Sequence, residues 1–318
     1  MNVRAAYIEE VVFLPDDECS VPAGFDTELC LVTSSAEVGI LGVEQALALL
    51  RRFYPSAADA RSAFVSIGCA GFFGCVLEFL ASDAESATLV LLETPSWFVQ
   101  ETLDGAGVGY GGDGFIAKDS ACVVRLGRTP RANALRIDFC TILAKPARLL
   151  GTVSLAREIV GCLAALYRSH PALQVVTFAN VSAWSQRLVQ LVDMHCPEIG
   201  LSGSMSWMPS VESDATHYMS VRPLLDLRAH EAQARERPLL LTCLGAGGRL
   251  GMLLVAPPDA PHVPHPSRAA PLPIHSVPAP HRQTARSASR DVLYAKPEYF
   301  GQRDFYFKWN FDHADSLP

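Results

Sequence analysis

The chain has 318 residues, 49% of them hydrophobic, with 26 Lys+Arg against 33 Asp+Glu for a net charge of -7. That hydrophobic content can bury one large core or two fused halves of ordinary domain size, which excludes a disordered or fibrous chain over most of the length. The acidic balance offers no broad cationic surface to nucleic-acid phosphates, so nucleic acid is not an expected partner.

The first ten residues reach Glu9 and Glu10 before any apolar run of signal-peptide length, and no later apolar run spans a membrane without a polar break. A soluble cytoplasmic protein with no membrane partner is expected. Up to about residue 256 the chain alternates strand-like and helix-like stretches, the pattern of an α/β protein around a buried sheet. Aliphatic and β-branched runs predict strands over 63–67, 88–92, 122–126, 173–178 and 239–243. Apolar residues at helical spacing predict helices over 43–53, 72–80, 153–167 and 182–194. Two glycine-rich segments each precede a closing strand: Tyr110-Gly111-Gly112-Asp113-Gly114 before 122–126, and Gly245-Ala246-Gly247-Gly248-Arg249-Leu250-Gly251 before 252–255. Their similar settings suggest a duplicated α/β unit, with halves at 1–128 and 129–256.

Past Ala256 the composition changes. Residues 257–290 are dense in Pro, His, Ala, Ser and Arg, with too few large apolar residues to fold alone, and read as a flexible linker. Their histidines have no regular ligand spacing, so no metal is expected there. Residues 291–318 hold Tyr294, Tyr299, Phe300, Phe305, Tyr306, Phe307, Trp309 and Phe311. Such aromatic density marks a docking tail that packs on the body of this chain or on a partner.

Nine cysteines stand at 19, 30, 69, 75, 122, 140, 162, 196 and 243, with no CxxC pair and no zinc-like spacing. Most read as small buried hydrophobes. Cys69 differs, because Ser66-Ile67-Gly68-Cys69-Ala70-Gly71-Phe72 places it among small residues between a buried strand and an apolar helix. A tight turn there aims the thiol into a cavity, and the positive helix end favours the reactive thiolate.

This segment resembles the nucleophile segment of the ketosynthase III family, a branch of the thiolase superfamily in which a small-Cys-Ala/Ser-Gly-Phe motif precedes a buried helix. Three more stretches follow in the family's order: Thr88-Leu89-Val90-Leu91-Leu92-Glu93-Thr94, Gly112-Asp113-Gly114-Phe115-Ile116-Ala117, and the glycine-rich hairpin over 240–255. The resemblance implies a thiolase-like fold of two similar α/β halves in five layers, usually a dimer. It also implies acyl transfer through Cys69 with no bound cofactor, coenzyme A or phosphopantetheine thioesters serving as substrate carriers. The partners implied are acyl-CoA or acyl carrier protein, and a second copy or a related ketosynthase.

In that family a His and an Asn accompany the Cys. The first such place, His-Gln-Ala-Asn, is Thr177-Phe178-Ala179-Asn180 here, so the histidine is absent and Asn180 remains as possible support. The second place resembles the acyltransferase-like relatives, with His217 matching their histidine and Arg222 occupying the following Asp position. His217 could serve as a base near neutral pH, with Asp214 as an orienting group. The Gly245–Gly247 loop lacks the Lys-Ser/Thr of a phosphate loop and leads to a strand, so the resemblance implies an oxyanion role for the backbone at Gly245 and Gly247. A tight hairpin without chemistry is the plainer reading.

The expected function is therefore acyl transfer via a Cys69 acyl-enzyme, in polyketide or fatty-acid-related secondary metabolism. A decarboxylative 3-oxoacyl-ACP synthase III and a degenerate subunit of a heteromeric ketosynthase-like complex are the alternatives. Phe72, Phe73, Trp97 and Met205 could line an acyl pocket or belong to a core.

Overall fold

The computed structural model describes residues 4–14, 25, 27–33, 61–65, 68–93, 116–117, 120–144, 149–179, 183–197, 207–212, 216–245, 249–261 and 274–276. Their strands are β1 (Tyr7–Phe13), β2 (Leu29–Thr33), β3 (Arg61–Val65), β4 (Ser86–Glu93), β5 (Ile116–Ala117), β6 (Ser120–Gly127), β7 (Leu135–Ala144), β8 (Gln174–Val176), β9 (Trp207–Met208), β10 (Thr216–His217), β11 (Leu239–Gly245), β12 (Arg249–Ala256) and β13 (Ile274–Ser276). The helices are α1 (Gly71–Ala81), α2 (Leu149–Ser169), α3 (Ala183–His195), α4 (Arg222–Ala229) and α5 (Glu231–Glu236).

Eleven strands form one sheet in the order β13-β3-β2-β4-β6-β1-β7-β12-β11-β8-β9, with β10 and β5 paired separately. On the first side β1/β6 and β6/β4 are antiparallel, while β4/β2 and β2/β3 are parallel. On the second side β7/β12 and β12/β11 are antiparallel, while β11/β8 and β8/β9 are parallel. The same five-strand pattern thus occurs twice, joined where Tyr7 and Ile8 of β1 meet Arg136 and Leu135 of β7. Strands β2, β4 and β11 are continuous apolar runs because sheet neighbours and helices leave them no face for solvent.

Helix α1 is hydrophobic around nearly its whole circumference, and Gly71 to Leu77 and Phe79 are all buried. It packs on β2, β3 and β4 of the first set and on β7 and β12 of the second, forming a layer between them. Two close approaches demand glycine: a Cβ at Gly71 would overlap the Thr33 side chain, and one at Gly251 would overlap the Phe73 ring. The far end of α1 is closed by Arg128, whose Nη2 donates to the carbonyls of Phe79 (2.6 Å) and Ser82 (3.1 Å) and whose guanidinium lies 4.2 Å over the Phe79 ring. On the outer side of the second set, α2 and α3 pack against each other and α2 reaches β7.

The predictions at 72–80, 88–92, 122–126, 153–167 and 239–243 correspond to elements two to six residues longer, 182–194 corresponds to α3 shifted by one residue, and residues 63–65 of 63–67 fall in β3 while 66–67 lie outside the described residues. The stretch 173–178 yields only the short β8, beyond which Thr177 donates its N–H to the Met208 carbonyl of β9 at 3.0 Å. Helix 43–53, the segment 110–114 and most of 257–318 lie outside the described residues. Within the linker, Ile274–Ser276 forms β13 along the outer edge of β3, which its composition did not indicate.

The Phe73–Gly251 contact sets a direct test. Gly251→Ala should destabilise the protein by about 1–3 kcal/mol through overpacking, read as a lower denaturant midpoint. Phe73→Ala in the same chain should relieve part of that loss, so that the two effects are not additive.

Candidate active site

Gly68-Cys69-Ala70 forms a 3₁₀ turn that runs directly into α1, so Cys69 stands at the helix's N-terminal end and is 7% exposed. The second set of strands has a counterpart: Met219-Ser220-Val221 forms a 3₁₀ turn running directly into α4. The two turns touch. Each also packs on the other side's strand, Cys69's turn on β11 and the Met219 turn on β4. Within the second turn Ser220 donates its backbone N–H (3.2 Å) and hydroxyl to the buried Glu93 carboxylate at the end of β4. Met219 has φ 54°, a left-handed backbone uncommon for a residue other than glycine, and its carbonyl accepts from the buried Cys243 thiol at 3.6 Å. Burial pushes the Cys243 thiol well up, with Cys69 among the groups adding to the shift.

Arg222 opens α4 and is fully buried. Its Nη2 donates to the carbonyls of Thr177 (2.5 Å) and Ala179 (3.5 Å), and its Nε to Ser210 Oγ (3.0 Å). Two buried carboxylates face it, Glu212 at 3.2 Å and Asp226 at 3.4 Å. Burial works against the guanidinium charge, but Glu212, Cys243 and Asp226 together hold Arg222 above its ordinary range. Asp226 is pushed up by burial despite Arg222, the Val211 N–H and the Ser210 hydroxyl. Glu212 in turn accepts from the Tyr218 N–H at 3.0 Å, the residue after His217. One guanidinium therefore fixes both segments that the sequence marks as sites, 177–179 directly and 217–218 through Glu212.

No protein-family model matches the sequence, and no curated protein matches it. Solved structures do. ChlB3, an acyltransferase, is 17% identical with a TM-score of 0.50 over 80% of this chain and 96% of its own. A variant of OleA from Xanthomonas campestris is 13% identical with a TM-score of 0.51 over 73% of this chain and 76% of its own. The chain has a thiolase-like fold. Helix α1 forms a layer between the two strand sets, α4 packs on β11, and α2 with α3 form an outer layer.

The predicted site residues fall partly within the described residues. Cys69 is placed with its side chain, and Phe72 and Phe73 are fully buried core rather than an exposed lining. His217 is placed by its backbone in β10, which pairs with β5 in the register His217↔Ala117, two residues before the turn that touches Cys69's. Gly245 ends β11 opposite Arg249. Asn180, Asp214, Gly247, Trp97 and Met205 lie outside the described residues. Arg222 was read only as a departure from the family pattern. Its partners Glu212 and Asp226 were not singled out, since a buried ion cluster has no fixed sequence spacing, and Glu93 was read only as part of a core strand.

Arg222→Met would leave two carboxylates buried beside an apolar side chain, and should lower the unfolding free energy by about 3–5 kcal/mol. Asp226→Asn leaves the Arg222–Glu212 pair neutral and should be far milder. Chemical denaturation at pH 7 compares them.

Proposed function

We propose that the chain is an acyltransferase of the ketosynthase III type that carries its acyl group on Cys69. The Cys69 thiolate attacks the carbonyl carbon of a coenzyme A or carrier-protein thioester, the carbonyl reforms, and the carrier thiolate departs and takes a proton. The acceptor's O–H or N–H then attacks the thioester, its proton passes to His217, and the Cys69 thiolate is released. Backbone N–H groups of the Gly245–Gly247 loop receive the oxyanion in both steps, with Asn180 and Asp214 as supporting groups.

The observation that carries this reading is the placement of Cys69 at the N-terminal end of a helix buried between the halves. Water is largely kept from the thiol, and the aligned peptide dipoles of α1 favour its anion. Burial raises the Cys30 thiol to about 12 and holds Cys75 and Cys122 well up, which disfavours their reactive anions. The name of one similar fold, the acyltransferase ChlB3, fits the same chemistry. Thr177 occupies the first histidine place and stabilises an enolate oxygen less well than a histidine would, which favours simple transfer over decarboxylative condensation. A homodimer, or a heterodimer with a related ketosynthase, completes the proposal. Among the described residues no helix is long and apolar enough to cross a membrane.

With a panel of acyl-CoA donors, the protein should release free coenzyme A, and release should fall at least ~100-fold in Cys69→Ala. His217→Ala should still give the first-turnover burst of coenzyme A while losing steady-state transfer. Carbon dioxide and a 3-oxoacyl product from a malonyl thioester would instead establish the condensing reaction.

A further inference from the structure

Strand β1 pairs with β6 along its length but with β7 only at Tyr7 and Ile8. Strand β7 begins at Leu135, so among the described residues no strand lies along the other edge of residues 9–13. That edge opens into a cleft of about 470 Å³ lined by residues 8–13, Leu135 and one face of α4 and α5: Leu224, Leu227, Arg228, Glu231 and Arg235. Six consecutive residues of one strand can line a cleft only when the strand presents its edge, with its backbone donors and acceptors, to the space. The cleft is also suited to aromatic rings, because Arg228 already lies 5.2 Å over the Phe13 ring, and Val11 and Phe13 border the core. A bare strand edge of this kind is a template for another strand.

The C-terminal segment has the matching pattern. Phe305, Phe307, Trp309 and Phe311 alternate with Tyr306, Lys308 and Asn310, so an extended backbone over 305–311 puts four aromatic rings on one face. It is also within reach. The body is last anchored at 258–261, whose carbonyls at Pro258, Ala260 and Pro261 accept from Arg136. Arg136 is the register partner of Tyr7 and adjoins Leu135, which lines the cleft. The chain then meets β3 through β13. From β13 back to β1 is five strand spacings, about 24 Å, and the 28 residues between Ser276 and Phe305 can extend several times that far.

We propose that residues 305–311 add as a strand to the open edge of β1, turning their aromatic face into the cleft between β1 and α4–α5. The chain would then close its own central sheet. This is independent of the chemistry assigned to Cys69.

Amide hydrogen exchange by NMR on the full-length protein tests it. In the full-length variant Phe307→Asp/Trp309→Asp, the cleft-facing amides of residues 9–13 should exchange on the order of tenfold faster. The β1 amides bonded to β6 should be unchanged, which controls for general unfolding. A synthetic peptide of residues 303–313 should restore slow exchange to the variant. Equal rates in both proteins would overturn the proposal, as would protection that rises with protein concentration, the mark of a second copy, or that appears only with an added partner protein.

Discussion

A helix with no solvent face has to be enclosed on every side, and α1 meets that requirement only when both five-strand sets close on it. Phe73 is the clearest instance, since its ring lies against Gly251 of β12 while its carbonyl accepts from the Cys140 thiol of β7 at 3.6 Å. On the other side, Gly71 lets the helix start against Thr33 of β2, whose hydroxyl bonds the Val65 carbonyl at the end of β3. The strand leading to Cys69 and the helix leaving it are thus held by the same few contacts. The position of the thiol follows from this packing on both sides of the helix.

The second half meets the first with less apolar material and more charge. Helix α4 is only eight residues long, begins with Arg222, and leaves a cleft where it faces β1. Its buried guanidinium is compensated by two carboxylates and three oxygen acceptors, and this cluster holds the 177–179 and 217–218 segments in place. A buried charge of this kind does not make a fold more stable than an apolar core would. Its contribution is geometric, because five N–H donors in a rigid fork can tie three separate segments at once.

Much of the fold was legible because it rests on apolar patterning. Runs such as Leu89 to Leu92 and Leu239 to Leu241 are buried on both faces and read as strands wherever they occur. The cysteine turn was legible for a related reason, as small residues between a strand and an apolar helix leave few conformations. Strand β1 was missed because its pattern is broken by Glu9 and Glu10 at a register shift, where Glu9 is tied to Arg125 at 3.0 Å and Arg131 at 3.1 Å. Strand β13 was hidden in Pro/His-rich composition, since backbone pairing to an edge asks little of side chains. Arg222 was visible in the sequence but not its meaning, which depends on Ser210, Glu212 and Asp226 folding back around it.

The claim at the centre is that Cys69, among nine cysteines, is the residue that takes the acyl group. Intact-protein mass spectrometry after brief exposure to acyl-CoA, followed by peptide mapping, addresses it directly. The account predicts a single adduct of one acyl mass, cleaved by hydroxylamine and located on the peptide containing Cys69. An adduct on another cysteine, with the Cys69 peptide unmodified, would contradict it.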